Sequence, residues 1–268
     1  MSAIAVSYTV DGAADAPVVV LSNSLGATRE MWRDQIPALA ERFRVVSYDT
    51  RGHGRSPAPD GPYAIDDLVD DVVALLDELG AERAHVVGLS LGGMTALRLA
   101  ARDPGRVDRL AVLCTSAKPE PGTFLERAAA VRSGGTAPLA PAIAARWLTP
   151  EYAAGHPDLV ARLEAMIAGA DDQGYAACCE AIAALDLRDD LGRIGAPTLV
   201  VSGAGDLALP PEHQRAIADG IADAEWLTVE PAAHLANLEQ PEQITAALLA
   251  HLDTAGPGRN ETAAEGTR

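Results

Sequence analysis

The stretch Val86-Val87-Gly88-Leu89-Ser90-Leu91-Gly92-Gly93-Met94-Thr95-Ala96-Leu97-Arg98-Leu99-Ala100 decides the fold. An apolar run breaks into Gly-x-Ser-x-Gly and resumes with helical character, so it reads as strand, tight turn and helix with Ser90 at the apex. Gly88 and Gly92 suit such a turn, because its central residue is strained and flanking side chains would collide with each other or with the helix. The serine hydroxyl is thereby exposed towards a substrate. Beneath it the helix begins with free backbone N–H groups that favour negative charge, which makes the Leu91 amide a candidate oxyanion donor. With 24 glycines among 268 residues the bare motif arises readily by accident, so its weight comes from its setting between a strand and a helix.

A serine is a weak nucleophile and needs a base, which in turn needs an orienting carboxylate. Residues 196 to 203 form a β-rich apolar run, and the Ala204-Gly205-Asp206 that follows sets an acid at the carboxyl end of that strand, the edge where open α/β sheets do chemistry. Glu225-Trp226-Leu227-Thr228-Val229 reads as another strand, and the loop after it carries His234. Asp206 and His234 thus occupy equivalent loops. The order Ser90, Asp206, His234 is that of the α/β-hydrolase arrangement and differs from the orders of other serine-hydrolase folds. Asp223 is the rival acid, in a surface-like Ala-Asp-Ala context. His85, His156, His213 and His251 have weaker claims as the base. His53, in Asp49-Thr50-Arg51-Gly52-His53-Gly54-Arg55-Ser56, precedes the nucleophile and sits between two glycines, so it reads as part of a turn packed under the site. A second oxyanion donor belongs in the loop after an earlier strand. Ala16 to Leu21 is that strand, Ser22-Asn23-Ser24-Leu25-Gly26 the loop, and the Leu25 amide the candidate donor.

Alternating strand and helix signals give an α/β class: an α/β-hydrolase fold with a mostly parallel central sheet flanked by helices and an inserted helical lid. Residues 64 to 79 carry Ile65, Leu68, Val72, Leu75, Leu76 and Leu79 at helical spacing, with Gly80 as a stop. The expected organisation is a first part of the core over 1–120, the lid over 121–190, a second part of the core over 191–253 and a disordered tail over 254–268.

The loop 22–26 with Trp32, residues 49–56, 88–94 and 113–117, Ala145-Arg146-Trp147-Leu148-Thr149-Pro150, Gly174-Tyr175-Ala176-Ala177-Cys178-Cys179-Glu180 and residues 232–237 together resemble the 3-oxoadipate enol-lactone hydrolase family. The elbow alone indicates the superfamily, whereas the Arg-Trp and Cys-Cys-Glu segments lie in the region that sets substrate choice. The resemblance implies a triad on Ser90, Asp206 and His234, hydrolysis of a small anionic lactone to the keto acid, and no cofactor or metal. Such a substrate carries a carboxylate, which an arginine in or under the lid must meet; Arg132 and Arg146 are the candidates, with the Trp147 ring covering the ligand. Two alternatives stay open: a carboxylesterase or lactonase acting on another small ester, and a non-catalytic ligand-binding protein on a hydrolase fold.

Composition is consistent with an enzyme of this class. An apolar fraction of 48% supplies an ample core. The chain has no long apolar span and no basic leader, so a cytoplasmic location with no membrane partner is expected. A formal net charge of −17 argues against a nucleic-acid partner. Three cysteines, with Cys178 and Cys179 adjacent, suit buried reduced thiols rather than a disulfide framework. Oligomeric state is not readable.

Overall fold

Valine- and leucine-rich runs assemble into a seven-stranded sheet in a computed structural model that describes residues 2–253. The strands are β1 (Tyr8–Asp11), β2 (Val18–Ser22), β3 (Arg44–Tyr48), β4 (Ala84–Leu89), β5 (Val107–Leu113), β6 (Thr198–Gly203) and β7 (Ala224–Val229). Their order is β1-β3-β2-β4-β5-β6-β7, with only β1 antiparallel to its neighbour. The inner strands are buried on both faces, Val19, Val20, Leu21, Val87 and Val112 being fully enclosed, as parallel strands covered by helices must be. Each such side chain contributes about 1.5–3 kcal/mol of burial.

Eleven α-helices cover the sheet among the described residues: α1 (Ile36–Ala40), α2 (Ile65–Glu78), α3 (Leu91–Arg102), α4 (Pro121–Gly134), α5 (Ala140–Ala144), α6 (Pro150–Gly155), α7 (Pro157–Ala168), α8 (Asp172–Ala183), α9 (Pro211–Gly220), α10 (Ala236–Glu239) and α11 (Pro241–Leu252). Helix α2 follows the spacing read in the sequence. Ile65, Leu68, Val72, Leu75 and Leu76 are buried, and the Asp67 carboxylate accepts the Ala64 N–H at 2.8 Å to cap the first turn. Helices α4 to α8 form one insertion between β5 and β6. Among the described residues no helix is long and apolar enough to cross a membrane. The expected tail 254–268 lies outside the described residues.

Register brings the chemistry together. Ser22 pairs with Gly88 and Gly203 with Val229, so the loops after β2, β4, β6 and β7 all open at the carboxyl edge. The order reverses between β2 and β4, and a crevice forms at that switch point.

Candidate active site

Ser90 joins β4 to α3 with φ 56° and ψ −116°, a region that L-residues adopt only when their surroundings force it. The force comes from close packing. A β-carbon on Gly88 would meet the Gly92 carbonyl, and one on Gly92 would meet the Ser22 carbonyl. The turn is further tied by the Ser90 N–H to the Leu113 carbonyl at 2.9 Å and by the Thr115 hydroxyl to the Ser90 carbonyl at 2.7 Å.

Asp206 and His234 meet as a buried pair. The imidazole Nδ1 lies 2.8 Å from Asp206 Oδ2, while Asp206 Oδ1 accepts the Ala208 and Leu209 N–H groups at 2.8 and 3.0 Å. The carboxylate is therefore fixed by its own loop and turns one oxygen to the histidine. With Nδ1 donating to Asp206, Nε2 is left as the basic nitrogen. Ser90 and His234 line the same cavity, of about 210 Å³, with Ser24, Leu25 and Trp147.

The loop after β2 is held from three sides. The Asn23 carbonyl accepts the Gly92 N–H at 2.9 Å, the Ser24 N–H points to Met31 Sδ at 3.4 Å, and the Gly26 N–H donates to His53 Nε2 at 2.9 Å. The Leu25 and Leu91 N–H groups, by contrast, have no acceptor among the described residues. Two uncommitted amides flanking Ser90, one of them opening α3, suit a developing oxyanion.

His53 has both ring nitrogens engaged. Nε2 accepts from Gly26, so Nδ1 carries the proton and donates it to the Arg51 carbonyl at 3.0 Å. Burial pushes its pKa below the usual histidine value. It lies beneath the cavity, against the loop after β2 and the Tyr175 ring. The remaining histidines are engaged elsewhere. His85 packs edge-on against Phe43, His156 stacks on Tyr152, and His251 faces the Leu110 carbonyl. His213 does line the cavity, with Nδ1 on the Ser116 hydroxyl at 2.9 Å. Asp223 is exposed and precedes β7, at the sheet edge opposite the cavity.

Of the lid residues expected to meet substrate, Arg146 and Trp147 line the cavity and Arg132 does not. Arg132 instead forms a two-pronged pair with Glu180 of α8 at 3.0 and 2.9 Å. The basic side chain that α4 turns to the cavity is Arg127, together with Thr123 and Phe124. Five residues advance a helix by about 140° beyond one full turn, so positions 127 and 132 face different neighbours. Sequence reading also missed Glu239. This buried carboxylate accepts the Thr149 N–H and hydroxyl at 2.8 and 2.6 Å and also accepts the Ala233 N–H. It thereby ties the start of α6 to the histidine loop. No local motif marks it, since its partners are 90 and 6 residues away.

Comparison with known proteins agrees with this geometry. A family model described as alpha/beta hydrolase fold matches residues 17–241. The chain is 40% identical over 240 residues to 3-oxoadipate enol-lactonase 2 of Acinetobacter baylyi, covering 89% of this chain and 90% of that one. It is 36% identical to 3-oxoadipate enol-lactonase 1 of the same organism over 88% of this chain and 89% of the relative. Among solved structures, the enol-lactonase from Burkholderia xenovorans superposes with a TM-score of 0.91 at 41% identity, over 93% of this chain and 96% of that one.

Proposed function

The chain belongs to the alpha/beta hydrolase family, and within it we propose that it is a 3-oxoadipate enol-lactonase, using water to open the lactone to 3-oxoadipate in the cytoplasmic breakdown of aromatic compounds. The observation that carries the reading is the buried Asp206–His234 pair at 2.8 Å, opening on the cavity that Ser90 lines. Identity of 40% and 36% to two enol-lactonases over nearly the whole chain supplies the substrate class.

In this reading Ser90 Oγ attacks the ring carbonyl as His234 Nε2 takes its proton, and the Leu25 and Leu91 amides receive the oxyanion. The ring C–O bond then breaks. Its oxygen leaves as an enol, a better leaving group than an alkoxide, and collects the proton from His234. Water deprotonated by His234 attacks the acyl-serine and releases the acid, while the enol tautomerises to the ketone. Asp206 holds the imidazole in the required orientation and stabilises its cationic form. Nothing in the sequence of steps requires a redox partner, because one water is consumed and one ester is cleaved. Arg146 and the Trp147 ring border the space where the lactone would sit.

The test is the rate of enol-lactone disappearance with purified protein, beside a panel of saturated γ-lactones. Turnover of the enol-lactone in preference to the panel is expected. An inert protein, or one that prefers the saturated rings, would overturn the reading.

A further inference from the structure

Arginines in this acidic chain are mostly taken up by carboxylates. Arg29 pairs with Asp49, Arg51 with Asp71, Arg98 with Asp66 and Asp190, Arg102 with Asp70, and Arg132 with Glu180. Against 38 acidic and 21 basic side chains, a cation without such a partner stands out. Arg127 and Arg146 are two, and both line the cavity that holds Ser90 and His234. Neither has a carboxylate partner among the described residues. Arg146 is exposed and donates to the Leu207 carbonyl.

Arg127 is half-buried, and its guanidinium lies over the Phe124 ring, 5.4 Å from the centroid. Thr123, Phe124 and Arg127 fall on one face of α4, at the i, i+1 and i+4 spacing that faces a helix surface one way. The one carboxylate in the lining, Glu120, is exposed and caps the same helix through the Gly122 N–H. Its backbone sits about 10 Å along the axis from that of Arg127. On the inner side the Arg127 guanidinium acts on the buried Tyr175 hydroxyl. The Tyr175 ring in turn packs on Gly26, next to the Leu25 amide. A guanidinium in this position has the Phe124 ring against one face and lines the cavity.

Resting on the enol-lactonase reading, we propose that Arg127 is the anion-binding residue of the cavity and holds the free carboxylate of the lactone on the leaving-group side. In the lactone of the 3-oxoadipate enol, that carboxylate is four bonds from the carbonyl under attack. Both ends of so short a molecule must be gripped within one small cavity, and a side chain of α4 facing the Ser90 turn meets that requirement. A guanidinium presents paired N–H donors that match a carboxylate in geometry as well as charge. It also offsets the repulsion that a protein of formal charge −17 exerts on an anionic substrate.

The experiment compares two lactones that share the enol-lactone ring: 3-oxoadipate enol-lactone, with its carboxymethyl arm, and α-angelica lactone, with a methyl group in that place. The readout is the ratio of their kcat/KM values. In Arg127→Gln the preference for the carboxymethyl lactone is expected to fall ten- to hundredfold, the size of one charge-assisted hydrogen bond. Most of the loss should appear in KM, and Arg127→Lys should retain part of the preference. A ratio unchanged in Arg127→Gln overturns the assignment while leaving the enol-lactonase reading intact. A wild-type protein active on the methyl lactone and inert to the carboxymethyl one overturns the enol-lactonase reading instead. In that case adipate decides the subsite by itself: inhibition of the remaining activity that is lost in Arg127→Gln supports it, and equal inhibition of both proteins overturns it.

Discussion

At the scale of single residues, Ser90 separates chemistry from stability. Its hydroxyl caps no helix end, and the strained turn is held by backbone contacts that an alanine would keep. Ser90→Ala is therefore expected to fold with a near-native melting temperature while losing about three or more decades of turnover, as removal of a triad member does; steady-state kinetics with circular dichroism check both. His53 offers a subtler case. Its Nε2 is the acceptor that fixes the Gly26 amide, one residue beyond the proposed Leu25 donor. His53→Ala should lower kcat about tenfold with little change in KM, less than the roughly 10²–10³ lost when an oxyanion donor is deleted outright. Burial lowers the His53 pKa, so the folded protein resists a proton that the unfolded chain accepts near the ordinary value of about 6.5. The unfolded state then binds more protons as pH drops, and stability is lost below about pH 6.5. Denaturant midpoints at pH 5.5 and 7.5 should show a steeper decline in the wild type than in His53→Gln. Ser90, Asp206 and His234 were legible because each follows a recognisable strand and their chain order is informative. The Arg127 position was not, since choosing between it and Arg132 requires knowing which neighbours α4 faces.

At the scale of elements, strands, long helices and the helical insertion followed their sequence patterns, whereas the way the helices of the insertion face did not show in the sequence. The α2 periodicity predicted a helix over residues 64 to 79 and the structure has Ile65–Glu78. Helix α4, Pro-Gly-Thr-Phe-Leu-Glu-Arg-Ala-Ala-Ala-Val-Arg-Ser-Gly, distributes its apolar residues without a clear stripe and buries only Ala128 and Val131. Its orientation is set by packing on α8 and by the Arg132–Glu180 pair, both long-range. Edge strand β1 carries only one strongly apolar alternation and pairs antiparallel with β3, so its sequence signal is weak. Glu239 is one of several ties between insertion and core, accepting from Thr149 on one side and Ala233 on the other. Glu239→Ala would strand these buried donors. A destabilisation of about 2–4 kcal/mol is expected by urea denaturation, at roughly 1–3 kcal/mol per donor left unsatisfied with partial relaxation.

At the scale of the whole molecule, charge and topology have separate consequences. A formal charge of −17 spread over one domain repels itself. Raising salt from about 0.01 M to about 0.15 M shortens the screening length from ~30 to ~8 Å, so the melting temperature is expected to rise over that range; a fall would show that the surface ion pairs outweigh the repulsion. The three cysteines are buried and unpaired, and burial holds the Cys179 thiol up at about 12, which keeps it protonated and inert near neutrality. The ceiling of the cavity arrives as a single segment leaving after β5 and returning before β6. Two crossover points therefore suffice to exchange it, so gene recombination between related chains could graft one protein's ligand preference onto another's cutting machinery in a single event, leaving the sheet and its four loop ends in place.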